Sequence, residues 1–198
     1  MKKQPELNYN IKLTYKSDWS RYFYEYQYAV NLMFNSLTGG EITVVSLPLA
    51  FLIRHTLELG YKMNLIELEK VSDLKAEIKY KGKSAHKIDD LHREFESQMK
   101  EIFKKYNADK DIVKQFDNLN SKLKGLKSML HKLDELSYAF RYPVKNDGVT
   151  PNFDNKDFED KTDVINFKDV KSLYDDSILL IKYSTDVVSE IIEKHEKK

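Results

Sequence analysis

Residues 42–53, "ITVVSLPLAFLI", form the longest apolar run of the chain, interrupted only by Thr43, Ser46 and Pro48. Within it Leu47, Leu49, Ala50, Phe51, Leu52 and Ile53 leave a helix no polar face. A helix that is apolar all round belongs at the centre of its domain. The residues that follow, "RHTLELGYK" (54–62), set Arg54, Glu58 and Lys62 four apart, on one helical face. Facing outward, they are a solvated ladder worth about 0.2–0.5 kcal/mol per pair. Facing inward, the alternative that the apolar run before them raises, they need partners, because an unpaired buried charge is very costly. Glu58 is the local partner for Arg54, and the loop "FRYPVKNDG" (140–148), with Arg141 and Asp147, is a distant one.

Four further stretches repeat apolar residues at helical spacing. The first runs from a cap at Ser17 or Asp18 to about Leu37 through Trp19, Phe23, Tyr26, Val30 and Met33, and "TGG" (38–40) stops it. The central helix then spans about Thr43–Lys70, with Pro48 early, where a first turn accepts it. A third covers Ile88–Tyr106 and a fourth Lys110–Tyr138, the latter capped by 107–109. The last covers 168–195. Short strands are expected at 10–16, 78–80 and 164–167, and a loop at 141–155, where Pro, Asn and Asp-Gly cluster. With only 6 Gly and 4 Pro in 198 residues, long helices dominate. The expected fold is all-α: one domain over 1–198, an antiparallel bundle of about five helices with small β appendages.

The charge balance, 33 basic against 32 acidic residues, sets up no global field that demands nucleic acid or a membrane. The absence of cysteine excludes disulfides, thiolate catalysis and cysteine-zinc sites. "MKKQPELNYN" has no apolar stretch behind its basic residues, so no secretory leader is expected. The 42–53 run is too short to span a bilayer. A cytoplasmic protein without membrane contact is the expectation.

Three constellations could carry chemistry. On the central helix, His55 lies beside Arg54; a lone helical histidine is usually a structural hydrogen-bonder, but it titrates near neutrality and can act as acid or base. In "HKIDDLHREF" (86–95), His86 and Asp90 are four apart, as are Asp89 and Arg93. A metal could use His86, Asp89 and Asp90, but His86 and His92 are six apart and point to different faces; His86 and Asp89 as helix caps is the plainer reading. Between 100 and 132 there are nine lysines, either a phosphate-tracking surface or the solvated face of two long helices.

Together, "LIRHTLELGYK" (52–62), "HKIDDLHREF" (86–95) and "FRYPVKNDG" (140–148) resemble uncharacterised bacterial members of the HEPN superfamily. The resemblance implies a helical bundle, usually a homodimer. It also implies a setting in bacterial defence or toxin–antitoxin systems, where many members are metal-independent ribonucleases and others bind nucleotides or act as scaffolds. An antitoxin or defence partner would follow. Active members carry an Arg followed after four to six residues by His. No Arg here has a His at that spacing, so no catalytic pair is carried over.

The functional expectation is a protein that binds nucleotide or RNA phosphate at a polar site inside the bundle, with no cofactor; metal-independent RNA cleavage is one chemistry open to such a site, not one the sequence establishes. A base, His55 or His86, would take a 2′-hydroxyl proton, and Arg54 or Arg141 would stabilise charge on phosphorus. Lys62, Tyr142 and Lys145 would contact substrate, and Glu58, Asp90 and Asp147 would orient the others. All of this requires the three motifs to converge. The alternative is a non-catalytic interaction or dimerisation module whose charged motifs are buried structural ion pairs.

Overall fold

The computed structural model describes residues 18–75, 83–135, 137–153 and 165–197. The fold is all-α. Among the described residues six helices follow one another: α1 (Trp19–Ser36), α2 (Gly39–Val44), α3 (Ser46–Leu68), α4 (Ile88–Lys105), α5 (Lys110–Leu133) and α6 (Phe167–Glu196), with a 3-10 turn at Lys83–His86.

The helix starts follow from local chemistry. Asp18 accepts the Arg21 N–H at 2.8 Å and opens α1. "TGG" does not simply stop that helix. Thr38 and Glu41 form a reciprocal capping box, Thr38 N–H to Glu41 Oε2 at 2.8 Å and Glu41 N–H to Thr38 Oγ1 at 3.4 Å, so the two glycines begin α2. The expected single helix from Thr43 is therefore two, broken at Val45 (φ −102°, ψ 21°), with Pro48 in the first turn of α3. Asp109 caps α5 and Asn166 caps α6. Lys87 precedes α4 without a side-chain cap, so neither His86 nor Asp89 caps that helix.

α5 ends at Leu133 rather than at Tyr138. Asp134 stops it: its Oδ1 accepts the backbone N–H groups of Tyr138 (2.5 Å) and Ala139 (2.9 Å), offering them an alternative to the helical ladder. Ser137 sits at φ 60° in the resulting turn. The loop that follows is held by one antiparallel bridge, Val144 to Pro151. Among the described residues there is no strand; Ile165, Asn166 and Phe167 lead into α6 instead of forming the expected strand. The strands expected at 10–16 and 78–80 lie outside the described residues.

α3 is central, packing against α1, α4, α5 and α6. Its face toward α1 and α6 needs a glycine. A Cβ on Gly60 would lie 2.9 Å from Phe23 Cε2 and closer still to Ile181 Cγ2. One turn later, Asn64 donates to the carbonyls of Gly60 (2.9 Å) and Ile181 (2.8 Å), stitching α3 to α6. The core gathers Ile53, Leu57, Tyr61 and Leu65 of α3 with Phe23, Phe95, Phe116, Tyr174 and Ile181. Among the described residues no helix is long and apolar enough to cross a membrane.

Candidate functional site

Immediately after its fully apolar segment, α3 carries charge into the core. Arg54, Glu58 and Lys62 are all buried, and Arg54 is the largest fully buried side chain, 0% exposed. Its guanidinium donates Nε–H to the Asp134 carbonyl (2.9 Å), Nη2 to the carbonyls of His86 (2.6 Å) and Glu135 (3.2 Å), and Nη1 to Glu58 (3.3 Å). Four of its five donors are thereby satisfied. The Asp134 carboxylate adds charge at 3.9 Å. Burial pushes the Arg54 pKa down, and Asp134 and Glu58 oppose that shift.

Glu58 is the anionic centre. It accepts Lys62 Nζ at 2.7 Å and lies 2.8 Å from His86 Nδ1. Burial works against its charge, but the hydrogen bond and charge of Lys62, then His86 and His55, outweigh it and hold the carboxyl below the usual range. Lys62 also sits over the Trp19 ring of α1, 5.5 Å from its centroid. The His86 imidazole is the hub's opening to solvent, with its side chain 50% exposed. With Nδ1 held by Glu58, its Nε2 edge is the one left to meet a ligand.

His55 and Arg141 stand beside this hub in an aromatic column. The Arg141 guanidinium lies over Phe51 (5.7 Å to the centroid), Phe51 stacks on His55 (5.5 Å, 12°), and His55 meets Tyr26 edge-on (4.6 Å). Burial lowers the His55 pKa, partly opposed by Glu58. Arg141 donates Nε–H to Ser137 O at 2.6 Å and otherwise faces outward.

The three sequence motifs therefore converge: Arg54, His55, Glu58, Lys62, His86 and Arg141 share one neighbourhood, and Tyr142 sits next to Arg141, its ring 5.5 Å from the guanidinium. Other expected members fall elsewhere. Asp90 pairs with Arg93 at 2.9 Å on the surface of α4. Asp147 folds its own turn, accepting Val149 and Thr150 N–H at 2.9 Å each and the Thr150 hydroxyl, which hold its pKa at about 2. Lys145 lies in the same turn. Arg54 and Lys62 are buried and their charges are matched by Glu58 and the Asp134 carboxylate, so neither presents a free charge to a ligand. The side chains of the suggested metal set diverge, His86 to Glu58, Asp89 to Lys127 and Asp90 to Arg93. Among the described residues no group of three or more His, Asp or Glu could hold a metal ion.

Sequence reading missed Asp134, whose carboxylate shapes the turn and whose carbonyl anchors Arg54. The signal available was Asp134-Glu135 interrupting the apolar spacing just before "FRYP". It also missed a second polar layer, between α4 and α5. There His92 Nδ1 meets the buried Tyr61 hydroxyl at 3.0 Å, and Glu96 gathers Lys100 (2.7 Å), Lys124 (2.9 Å) and Asn120 (3.2 Å). Several of the nine lysines are thus paired, with Lys105 on Asp73 and Lys127 on Asp89 as well. Compared with protein-family models, with curated proteins and with solved structures, the chain matches none.

Proposed function

We propose that this chain is a HEPN-like helical protein that binds RNA or nucleotide phosphate at the solvent edge of its charged hub, in a bacterial defence or toxin setting, and cleaves RNA without a metal. The observation that carries this reading is the contact of His86 Nδ1 with buried Glu58 at 2.8 Å. A buried carboxylate that fixes one imidazole nitrogen leaves the other aimed outward, which is the arrangement a general base needs. His86 would take the proton of a 2′-hydroxyl as its oxygen attacks the adjacent phosphorus; the bond from phosphorus to the 5′-oxygen breaks, the departing oxygen takes a proton from solvent, and Arg141 would stabilise charge on the phosphoryl oxygens. Arg54 and Lys62 act through Glu58 and the backbone as positioning residues.

The test compares the parent with His86→Ala and Arg141→Ala for binding and cleavage of a short single-stranded RNA in the presence of a chelator. His86→Ala keeps the main-chain oxygen that Arg54 uses. Both variants should fold as the parent does and lose most of the cleavage. Cleavage and binding equal to the parent's would overturn the reading.

A second reading has its own support. Arg54 spends its donors on three carbonyls and a buried carboxylate, as a structural clamp would. In that case the chain is a non-catalytic interaction module, and the parent itself binds neither RNA nor nucleotide.

A further inference from the structure

The turn that carries Arg141 is held more firmly than an exposed loop requires. Asp134 Oδ1 accepts the Tyr138 and Ala139 N–H groups, and the Tyr138 carbonyl accepts the N–H groups of Arg141 (3.0 Å) and Tyr142 (3.2 Å). The Tyr142 carbonyl accepts Asn152 Nδ2 at 2.7 Å, so residue 142 is tied at both of its main-chain groups. Its ring is placed as well, against that of Tyr138, with centroids 4.5 Å apart and planes 34° from parallel. Tyr142 nevertheless stays 47% exposed, so the side of the ring away from Tyr138 is open. An exposed tyrosine signifies nothing by itself. This one differs in its neighbour. The Arg141 guanidinium stands between Phe51 (5.7 Å to the centroid) and Tyr142 (5.5 Å). It spends Nε–H on Ser137 O, which leaves its terminal nitrogens for a ligand. On the Phe51 side the column leads through His55 toward Glu58 and His86; on the other side it ends in the two tyrosines.

A cation beside a fixed, open aromatic plate suits a nucleotide whose base is unpaired: the phosphate meets the guanidinium and the base lies on the ring. We infer that Tyr142 is a specificity residue of this site, stacking the base on the 3′ side of the cleaved phosphate and favouring a purine there. The inference rests on the roles proposed above for His86 and Arg141. The order of the groups gives the side. His86 takes the 2′-hydroxyl of one nucleotide, Arg141 takes the phosphate that follows it, and Tyr142 lies beyond Arg141, where the next nucleotide begins. A purine presents a larger face than a pyrimidine and gains more from the ring, and such stacking needs no hydrogen bond to the base. The tyrosine hydroxyl therefore has no part in it.

The test fixes the cleavage position chemically. Thymidine oligonucleotides carry a single uridine, the one sugar with a 2′-hydroxyl, and the nucleotide on its 3′ side is adenine, thymine or an abasic sugar. A second set varies the nucleotide on its 5′ side instead. Cleavage in the presence of a chelator is compared for the parent, Tyr142→Phe and Tyr142→Ala, with circular dichroism to confirm folding; Tyr142→Leu, apolar but not planar, replaces the alanine variant should that one fail to fold. The parent should favour adenine over the abasic sugar on the 3′ side by about tenfold or more in kcat/KM, with thymine between them. Tyr142→Phe should keep that ratio and Tyr142→Ala should bring it close to one. If the parent binds without cutting, the same ratios are read in Kd. A parent indifferent to the 3′ base, one that responds to the 5′ base instead, a ratio kept by Tyr142→Ala or a ratio lost in Tyr142→Phe would each overturn the inference while the RNA reading stands. A parent that neither cuts nor binds any of these oligonucleotides would overturn that reading, and the inference with it.

Discussion

His86 Nδ1 lies 2.8 Å from Glu58 Oε1, and Arg54, one turn before Glu58, donates to the His86 carbonyl. The same backbone segment is gripped twice, once at its main chain by a guanidinium and once at its side chain by a carboxylate. Removing either grip should therefore have different consequences.

Arg54→Ala should destabilise the fold by about 3–5 kcal/mol, because it leaves Glu58 and Asp134 short of a buried cation and three carbonyls without a donor. Arg54→Lys should recover only a part, since an ammonium cannot span the same forked set of acceptors. Urea unfolding followed by circular dichroism measures both. An Arg54→Ala protein within about 1 kcal/mol of the parent would mean that the hub contributes little to stability.

Glu58→Gln should cost stability of a similar order, about 3–5 kcal/mol, by leaving Arg54 and Lys62 facing a neutral group in the core. The double variant Glu58→Gln with Lys62→Met should be less damaged than the single one, because it removes one of the unmatched cations. The unfolding free energies of the two single variants and the double form a cycle, and additivity within that cycle would contradict direct coupling.

Stability should fall with acid between about pH 6.5 and 4. Burial, then the charge of Lys127, pushes the His92 pKa from 6.5 down to about 4. In that window the unfolded chain binds a proton that the folded chain refuses, so stability is complete above pH 6.5 and is lost as pH drops toward 4. The loss from this group is about 3 kcal/mol. Glu96 adds its own loss lower down. Burial raises its pKa, but hydrogen bonds from Lys100 and Lys124 prevail and set it at about 2, so its contribution fades only below 4.5. Urea midpoints measured across pH 2–8 test this, and His92→Phe should flatten the upper part of the curve.

Gly60→Ala should destabilise by about 1–3 kcal/mol despite alanine's better helix propensity, because the added methyl meets Phe23 and Ile181 at the crossing of α1, α3 and α6. Pairing it with Ile181→Val should restore part of the loss. A Gly60→Ala protein more stable than the parent would show that propensity outweighs packing there.

Much of this architecture could be read in advance. The starts and ends of α1, α4 and α6 follow from apolar spacing, with a polar cap at Asp18 opening α1, and the position of α3 follows from a run with no polar face. The burial of Arg54, Glu58 and Lys62 was legible as an alternative, but spacing alone could not choose between the inside and the outside of the helix. The premature end of α5 was not legible, because a side chain that competes with the helical ladder leaves no mark on apolar periodicity. Glu58 was legible as one acceptor of Arg54, but the other three were not, since they are backbone carbonyls and every residue carries one.

That last point bears on how such a sequence can drift. Arg54 grips positions 86, 134 and 135 through peptide oxygens, and at 135, where the side chain reaches only outward to Lys87, the residue can change over generations while the grip survives. The guanidinium has no such latitude. Tolerance is thus unevenly shared across this contact, and in a lineage of descendants Arg54 should stay fixed while Glu135 varies freely.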